Sequence, residues 1–187
     1  MNLETGRLRI RPWTHSQSDV DRLFDMYSRE DVVRYLGSYP NPLETRDQAE
    51  GAVDRWAARC TEDGRYGVWA VEVQDTGAIA GTVLLVALTP SAGETIPETV
   101  EVGWHLHPDS WGHGYATEAA SAVIAKGFAG GLDEIHAVVR PTNEPSLNVC
   151  RRLGMTHIGR TSRWYDVDLE EFRLVAPPKP PSGTMSA

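Results

Sequence analysis

Cysteine is scarce in this chain: two residues in 187, Cys60 and Cys150, far apart in the sequence. Two isolated cysteines exclude a disulfide framework and a zinc site of the usual Cys/His spacing. Basic charge is also short. Eighteen lysines and arginines stand against 26 acidic residues, a net charge of -8. The chain therefore lacks the positive excess that displaces counterions from nucleic acid. No apolar run approaches the length that crosses a bilayer. The start, Met1-Asn2-Leu3-Glu4-Thr5, has neither the basic nor the apolar region of a secretory signal. These absences predict a protein of the reducing cytoplasm that holds no metal and engages neither nucleic acid nor membrane. No segment repeats, and the length suits one domain with a core of ordinary size.

What is present reads as alternating strands and helices. Arg7-Leu8-Arg9-Ile10-Arg11-Pro12-Trp13 alternates like a strand with one wet face, closed by Pro12. Ser18 followed by Asp21 reads as a helix start, with Val20, Leu23, Phe24 and Tyr27 as its apolar stripe. Gly37 to Leu43, with prolines at 40 and 42, reads as a loop. Thr45 and Gln48 form a capping box ahead of a helix that buries Ala49, Val53, Trp56, Ala57 and Cys60. Strands follow at 67–73 and 78–88 around the turn Asp75-Thr76-Gly77, then a polar loop over 89–97. Thr99 to Leu106 alternates again, and Ala116, Ala119, Ala120, Val123 and Ile124 recur at helical spacing up to Gly130-Gly131. Ile135 to Arg140 reads as a buried strand, Asn143 caps a short helix closed by Gly154, and strands at 156–161 and 169–175 finish the pattern. Four prolines after Ala176 predict a disordered tail over 177–187, leaving 1–176 as one domain. The class is mixed α/β.

Between the strand ending at Leu106 and the following helix lies His107-Pro108-Asp109-Ser110-Trp111-Gly112-His113-Gly114-Tyr115-Ala116-Thr117-Glu118. A glycine turn opening a helix gathers unpaired N–H groups and the positive dipole end at one spot, which suits an anion, most often a phosphate. A Walker loop is excluded, since no Gly-Lys-Ser/Thr triplet exists here. Gly112, His113 and Gly114 begin a dinucleotide fingerprint, with Asp133 downstream, but Thr117 stands at its third glycine. An empty tight turn is the bland alternative.

Trp111-Gly112-His113-Gly114-Tyr115-Ala116 resembles the pyrophosphate-binding signature of the GNAT superfamily of acyl-coenzyme A-dependent N-acetyltransferases. Gly114 and Ala116 fill the small positions, and Trp111 stands where Gln or Arg is usual, as in the branch resembling ribosomal-protein alanine N-acetyltransferases. That branch is also matched by Leu3-Glu4-Thr5-Gly6-Arg7-Leu8-Arg9-Ile10-Arg11, Glu101-Val102-Gly103-Trp104, Asn143-Glu144-Pro145-Ser146 and Arg152-Leu153-Gly154-Met155. The resemblance implies a twisted, mostly antiparallel sheet of about six or seven strands flanked by about four helices. It also implies a splay at a central parallel pair, with acetyl-coenzyme A as donor and no metal. The matching donor positions are the backbone at Trp104, His105 and Leu106, the turn Trp111, Gly112, His113, Gly114, Tyr115, Ala116 and Thr117, then Asn143, Ser146 and Arg152. Helix capping alone also explains Asn143, and surface solvation explains at least one of Arg151 and Arg152.

For acyl transfer the acceptor amine must be neutral. At pH 7 a lysine amine is uphill by about 4–5 kcal/mol and an N-terminal amine by about 1 kcal/mol. A base is therefore needed, and Glu101 is the first candidate, His105 the second. Glu101, Gly103 and His105 share one face of their strand. Pairing of Glu101 with a polar group on a neighbouring strand is the alternative, as is a base at Asp166 or Asp168. The family often has a tyrosine four residues before the last motif's glycine, to protonate the leaving thiolate. Here Cys150 stands there, and Ser146, one turn earlier, is the replacement candidate. Thiolate departure without an acid is uphill by only about 2 kcal/mol at pH 7. Tyr35, Tyr39, Trp164 and Tyr165 are candidates for the acceptor cleft. The expected acceptor is a primary amine, on a small molecule or a protein N-terminus, handled by a monomer or homodimer. The alternative is a non-catalytic acyl-coenzyme A sensor or scaffold.

Overall fold

A computed structural model describes residues 2–38, 41–94 and 98–178. In β2 (Leu8–Pro12) the alternation holds: Leu8 and Ile10 are fully buried, while Arg9 and Arg11 reach across the other face to Glu72. It is paired with a two-residue β1 (Leu3–Glu4). The chain continues through α1 (Gln17–Tyr27), α2 (Glu30–Val33), α3 (Arg46–Ala57), β3 (Gly67–Val73), β4 (Ile79–Ala87) and β5 (Val100–Leu106). A short 3-10 turn (Pro108–Ser110) leads into α4 (Tyr115–Ala129), then β6 (Glu134–Val139), α5 (Glu144–Arg152), β7 (Thr156–Thr161) and β8 (Leu169–Val175). The eight strands lie in the order β1-β2-β3-β4-β5-β6-β8-β7, antiparallel except for β5 beside β6. This is the expected mixed α/β sheet, with β1 and α2 as the additions.

Caps explain where the helices begin. Ser16, not Ser18, starts α1: its extended backbone lets Oγ accept the Asp19 N–H, while Ser18 already lies in the first turn. Thr45 and Gln48 close the expected capping box on α3, and Asn143 caps α5 through Ser146 N–H.

One face of the sheet buries Ile10, Val83, Leu85, Val102 and Ile135 against Ala119, Ala120 and Val123 of α4. The other packs Ala70 and Ile79 against Leu23 and Met26 of α1 and Val53 of α3. Among the described residues, β5 and β6 are in register at a single position, Glu101 opposite His136. Beyond it the two strands line opposite walls of a gap. No helix among the described residues is long and apolar enough to cross a membrane. The expected tail falls largely on 179–187, outside the described residues, as does Tyr39.

Candidate active site

The turn after β5 is held open by contacts on every side. Gly112 and Gly114 both take φ +78°, the left-handed region that a side chain disfavours. The first intrahelical bond of α4 runs from Glu118 N–H to the Gly114 carbonyl. The N–H groups of Tyr115, Ala116 and Thr117 are thus left over at the helix start. A Cβ on Gly112 would meet nothing within 4 Å, so the space above the turn is free. Below, His107 accepts Asp109 N–H at Nδ1 and lies 2.9 Å from Asp25 at Nε2, while Arg22 grips both Asp109 oxygens. From the side, Arg7 donates to Glu118 (2.7 Å) and to the His113 carbonyl (3.0 Å) and lies over the Tyr115 ring, which stacks on His113. An array of N–H donors with arginines nearby suits a pyrophosphate.

A cavity of about 720 Å³ runs from this turn along β5 to α5. Strand alternation decides which backbone groups face it. His107 N–H bonds the Ala80 carbonyl, so His107, and two residues back His105, turn their backbone toward β4. The polar backbone of Leu106 and Trp104 then turns away from β4, and the Leu106 carbonyl indeed takes the Trp111 indole N–H (2.9 Å). Trp104 and Leu106 thus present backbone to the cavity, whereas His105 presents only its side chain. That corrects the expectation of backbone contacts from all three. Asn143, Ser146 and Arg152 line the far wall, with Arg152 bonded to Thr117 at 3.3 Å.

A second cavity, about 590 Å³, opens on the other side of the splayed strands. Six residues line both cavities: Tyr35, Leu36, Trp104, His105, Asn143 and Ser146. The second cavity holds Glu101 in its wall. Burial pushes the Glu101 carboxyl up to about 7, against the lowering influence of the Tyr165 hydrogen bond and the Arg59 charge. The Tyr165 hydroxyl donates to that carboxylate. Tyr165 is itself held at φ +57°, uncommon for an aromatic residue, by a bond from its N–H to the Thr89 carbonyl and one from Ser38 to its own carbonyl. Around the rim stand Arg59, whose charge acts on Glu101, and Tyr66, donating to Glu98.

The structure thus brings His105, Ser146 and Tyr35 to the junction of the two cavities, with Glu101 and Tyr165 in the wall of the second alone. It takes Trp164 elsewhere: its ring is 1% exposed and packs with Leu88 and Leu169 in a small core of its own, where the Pro90 bridge draws it inward. Cys150 is fully buried, lines neither cavity, and has its thiol pushed up to about 12 by burial. Asp166 accepts the Ala92 N–H outside both cavities, and Asp168 lines neither. Sequence reading took Tyr27 only as part of an apolar stripe and passed over Arg59, Tyr66 and Glu98. Arg59 and Tyr66 reach the second cavity from segments distant in sequence, whereas Glu98 comes from the chain just ahead of β5 and Tyr27 lies beneath His105.

The chain matches the acetyltransferase (GNAT) domain over residues 7–156. An uncharacterized N-acetyltransferase of Bacillus subtilis, YoaA, is 32% identical over 159 residues, 84% of each chain. An acetyltransferase from Agrobacterium tumefaciens has the same architecture, with a TM-score of 0.69 and 27% identity over 93% of this chain and 94% of that one. RimL, a ribosomal-protein alpha-N-acetyltransferase solved with coenzyme A, shares the fold at a TM-score of 0.74, with 15% identity over 94% of this chain and 98% of that one.

Proposed function

This chain belongs to the GNAT family of acetyl-coenzyme A-dependent acetyltransferases, and from that premise we propose that it acetylates a primary amine by direct attack. The acceptor is a small amine or a protein N-terminus. The observation that carries this reading is Glu101. It is a carboxylate tuned to about 7 in the wall of the acceptor-side cavity, beside the donor-side cavity that the anion turn ends. A group of that pKa takes a proton from an ammonium near neutral pH and releases it again, directly or through a water.

The remaining residues fall into roles around it. The leftover N–H groups of Tyr115, Ala116 and Thr117 hold the pyrophosphate, with Arg152 at its side. The Trp104 backbone supplies a donor to the thioester carbonyl, whose oxygen gains charge as the amine adds. Tyr165 keeps the Glu101 carboxylate aimed into the cavity. Ser146 offers its hydroxyl to the leaving sulfur, and Asn143, with its carbonyl engaged in capping, has its amide N–H groups free for the pantetheine arm. Tyr35 and Tyr165 give the acceptor aromatic walls.

Release of free thiol from acetyl-coenzyme A with a panel of primary amines tests the reading. Turnover is expected with at least one amine, reduced about 10²- to 10⁴-fold in Glu101→Gln. Coenzyme binding by calorimetry without turnover on any amine would overturn it. Full activity in the variant would remove Glu101 from the base role.

A further inference from the structure

Under the junction of the two cavities, three side chains share two hydrogen bonds. Tyr27, on α1, is buried, and its hydroxyl donates to Thr82 Oγ1 on β4 at 3.0 Å. The same oxygen lies 2.9 Å from His105 Nδ1 on β5, with the rings edge to face at 5.8 Å. Thr82 and His105 are register partners, so both side chains project from one face of the sheet, toward α1. Thr82 is 1% exposed, so bulk water does not replace it as a partner of Tyr27.

The direction of the Tyr27–Thr82 bond sets the proton count in this cluster. A tyrosine hydroxyl has one proton to give. Given to Thr82, it leaves the Tyr27 oxygen with lone pairs alone, and the contact with His105 then requires the proton on Nδ1. Burial pushes the imidazole down to about 4, so the ring is neutral and carries that one proton only. Nε2 is left with a lone pair. No described residue bonds Nε2, and the ring lines both cavities.

We propose that Tyr27 and Thr82 are positioning residues that lock His105 in the Nδ1–H form, so that Nε2 accepts an N–H of the acceptor amine and selects for primary amines. This rests on the reading of the site as an amine acetyltransferase. His105 does not take the proton; it orients the nitrogen while Glu101 removes the proton. An attacking primary amine has two N–H bonds and one lone pair. Once Glu101 has taken the ammonium proton and released it, the lone pair forms the bond to the thioester carbon, and the carbon–sulfur bond breaks with its electron pair leaving on the coenzyme thiolate. One N–H proton goes to Glu101, and the other N–H stays on the nitrogen, bonded to Nε2, through to the amide product. A secondary amine has a single N–H and must forgo either the base or His105.

Two substitutions test this. Thr82→Val keeps the shape but removes the acceptor, so the Tyr27 proton turns to Nδ1 and the ring proton moves to Nε2. Tyr27→Phe removes the hydroxyl and with it the lock. Nitrogen-15 spectra of the histidine side chains should show the Nδ1–H form for His105 in the native protein and the Nε2–H form in Thr82→Val. In both variants kcat/KM for a primary amine should fall about tenfold or more, with the Kd for acetyl-coenzyme A unchanged. Preference for that amine over its N-methyl analogue should shrink in parallel. Native His105 found as Nε2–H overturns the proposal. So does a Thr82→Val protein whose tautomer has moved while its primary-amine preference has not. Should the native protein acetylate no amine at all, the reading of the site fails, and the spectra still decide the tautomer.

Discussion

At the scale of single residues, Glu101 carries two separate predictions of pH dependence. As the proposed base it must be ionised, so kcat/KM should rise through pH 7 and lose that limb in Glu101→Gln, leaving only the titration of the acceptor amine at higher pH. Stability runs the other way. The folded value, about 7, lies above the ordinary 4.5, so the fold favours the protonated acid. Ionisation therefore destabilises the fold progressively from about pH 4.5 to about 7, and by a constant amount above that. Glu101→Gln removes the charge and keeps an acceptor for the Tyr165 hydroxyl. Thermal unfolding should show the variant and native protein alike near pH 4.5. At pH 8 the variant should be the more stable, by on the order of 2 kcal/mol. An activity lost together with a stability gained marks a group held against its own solvation for function.

At the scale of elements, the turn between β5 and α4 was the most legible part of the chain. Two glycines between an alternating run and a helical run specify a strand, a left-handed turn and a bare helix start; the strand ends at Leu106, and the other two are found at Gly112 to Tyr115. Gly114→Phe should abolish acetyl-coenzyme A binding in calorimetry at millimolar ligand, because the added side chain fills the space the anion needs and is strained at φ +78°. The face of β5 that carries Glu101 and His105 was equally legible, since it follows from period two alone. The short elements were not: two residues of β1 and four of α2 are too few to display a period. Trp164 misled because an aromatic residue near a hairpin reads as rim, whereas its burial depends on a bridge to Pro90, 74 positions away (164 less 90). Tyr165 lines the second cavity for a reason sequence does not contain, the left-handed backbone that turns its hydroxyl to Glu101.

At the scale of the whole molecule, the sheet consists of two parts, β1 to β5 and the trio β6, β8 and β7, in register at one rung between Glu101 and His136. On the proposed reading a donor in the gap touches both parts, and only the folded chain has that gap to offer. Acetyl-coenzyme A at 100 times its Kd should therefore add about 2.7 kcal/mol. For a chain of this size that raises Tm by roughly 5–10 °C, readable by scanning fluorimetry and missing in Gly114→Phe. The six residues common to the two cavities have a kinetic consequence as well. They make a passage with two mouths, one beside the anion turn and one at the rim of Arg59 and Tyr66. On the proposed reading, spent coenzyme and acetylated product need not queue at one exit, so an acceptor seated at the second mouth stays in place while the donor is exchanged behind it.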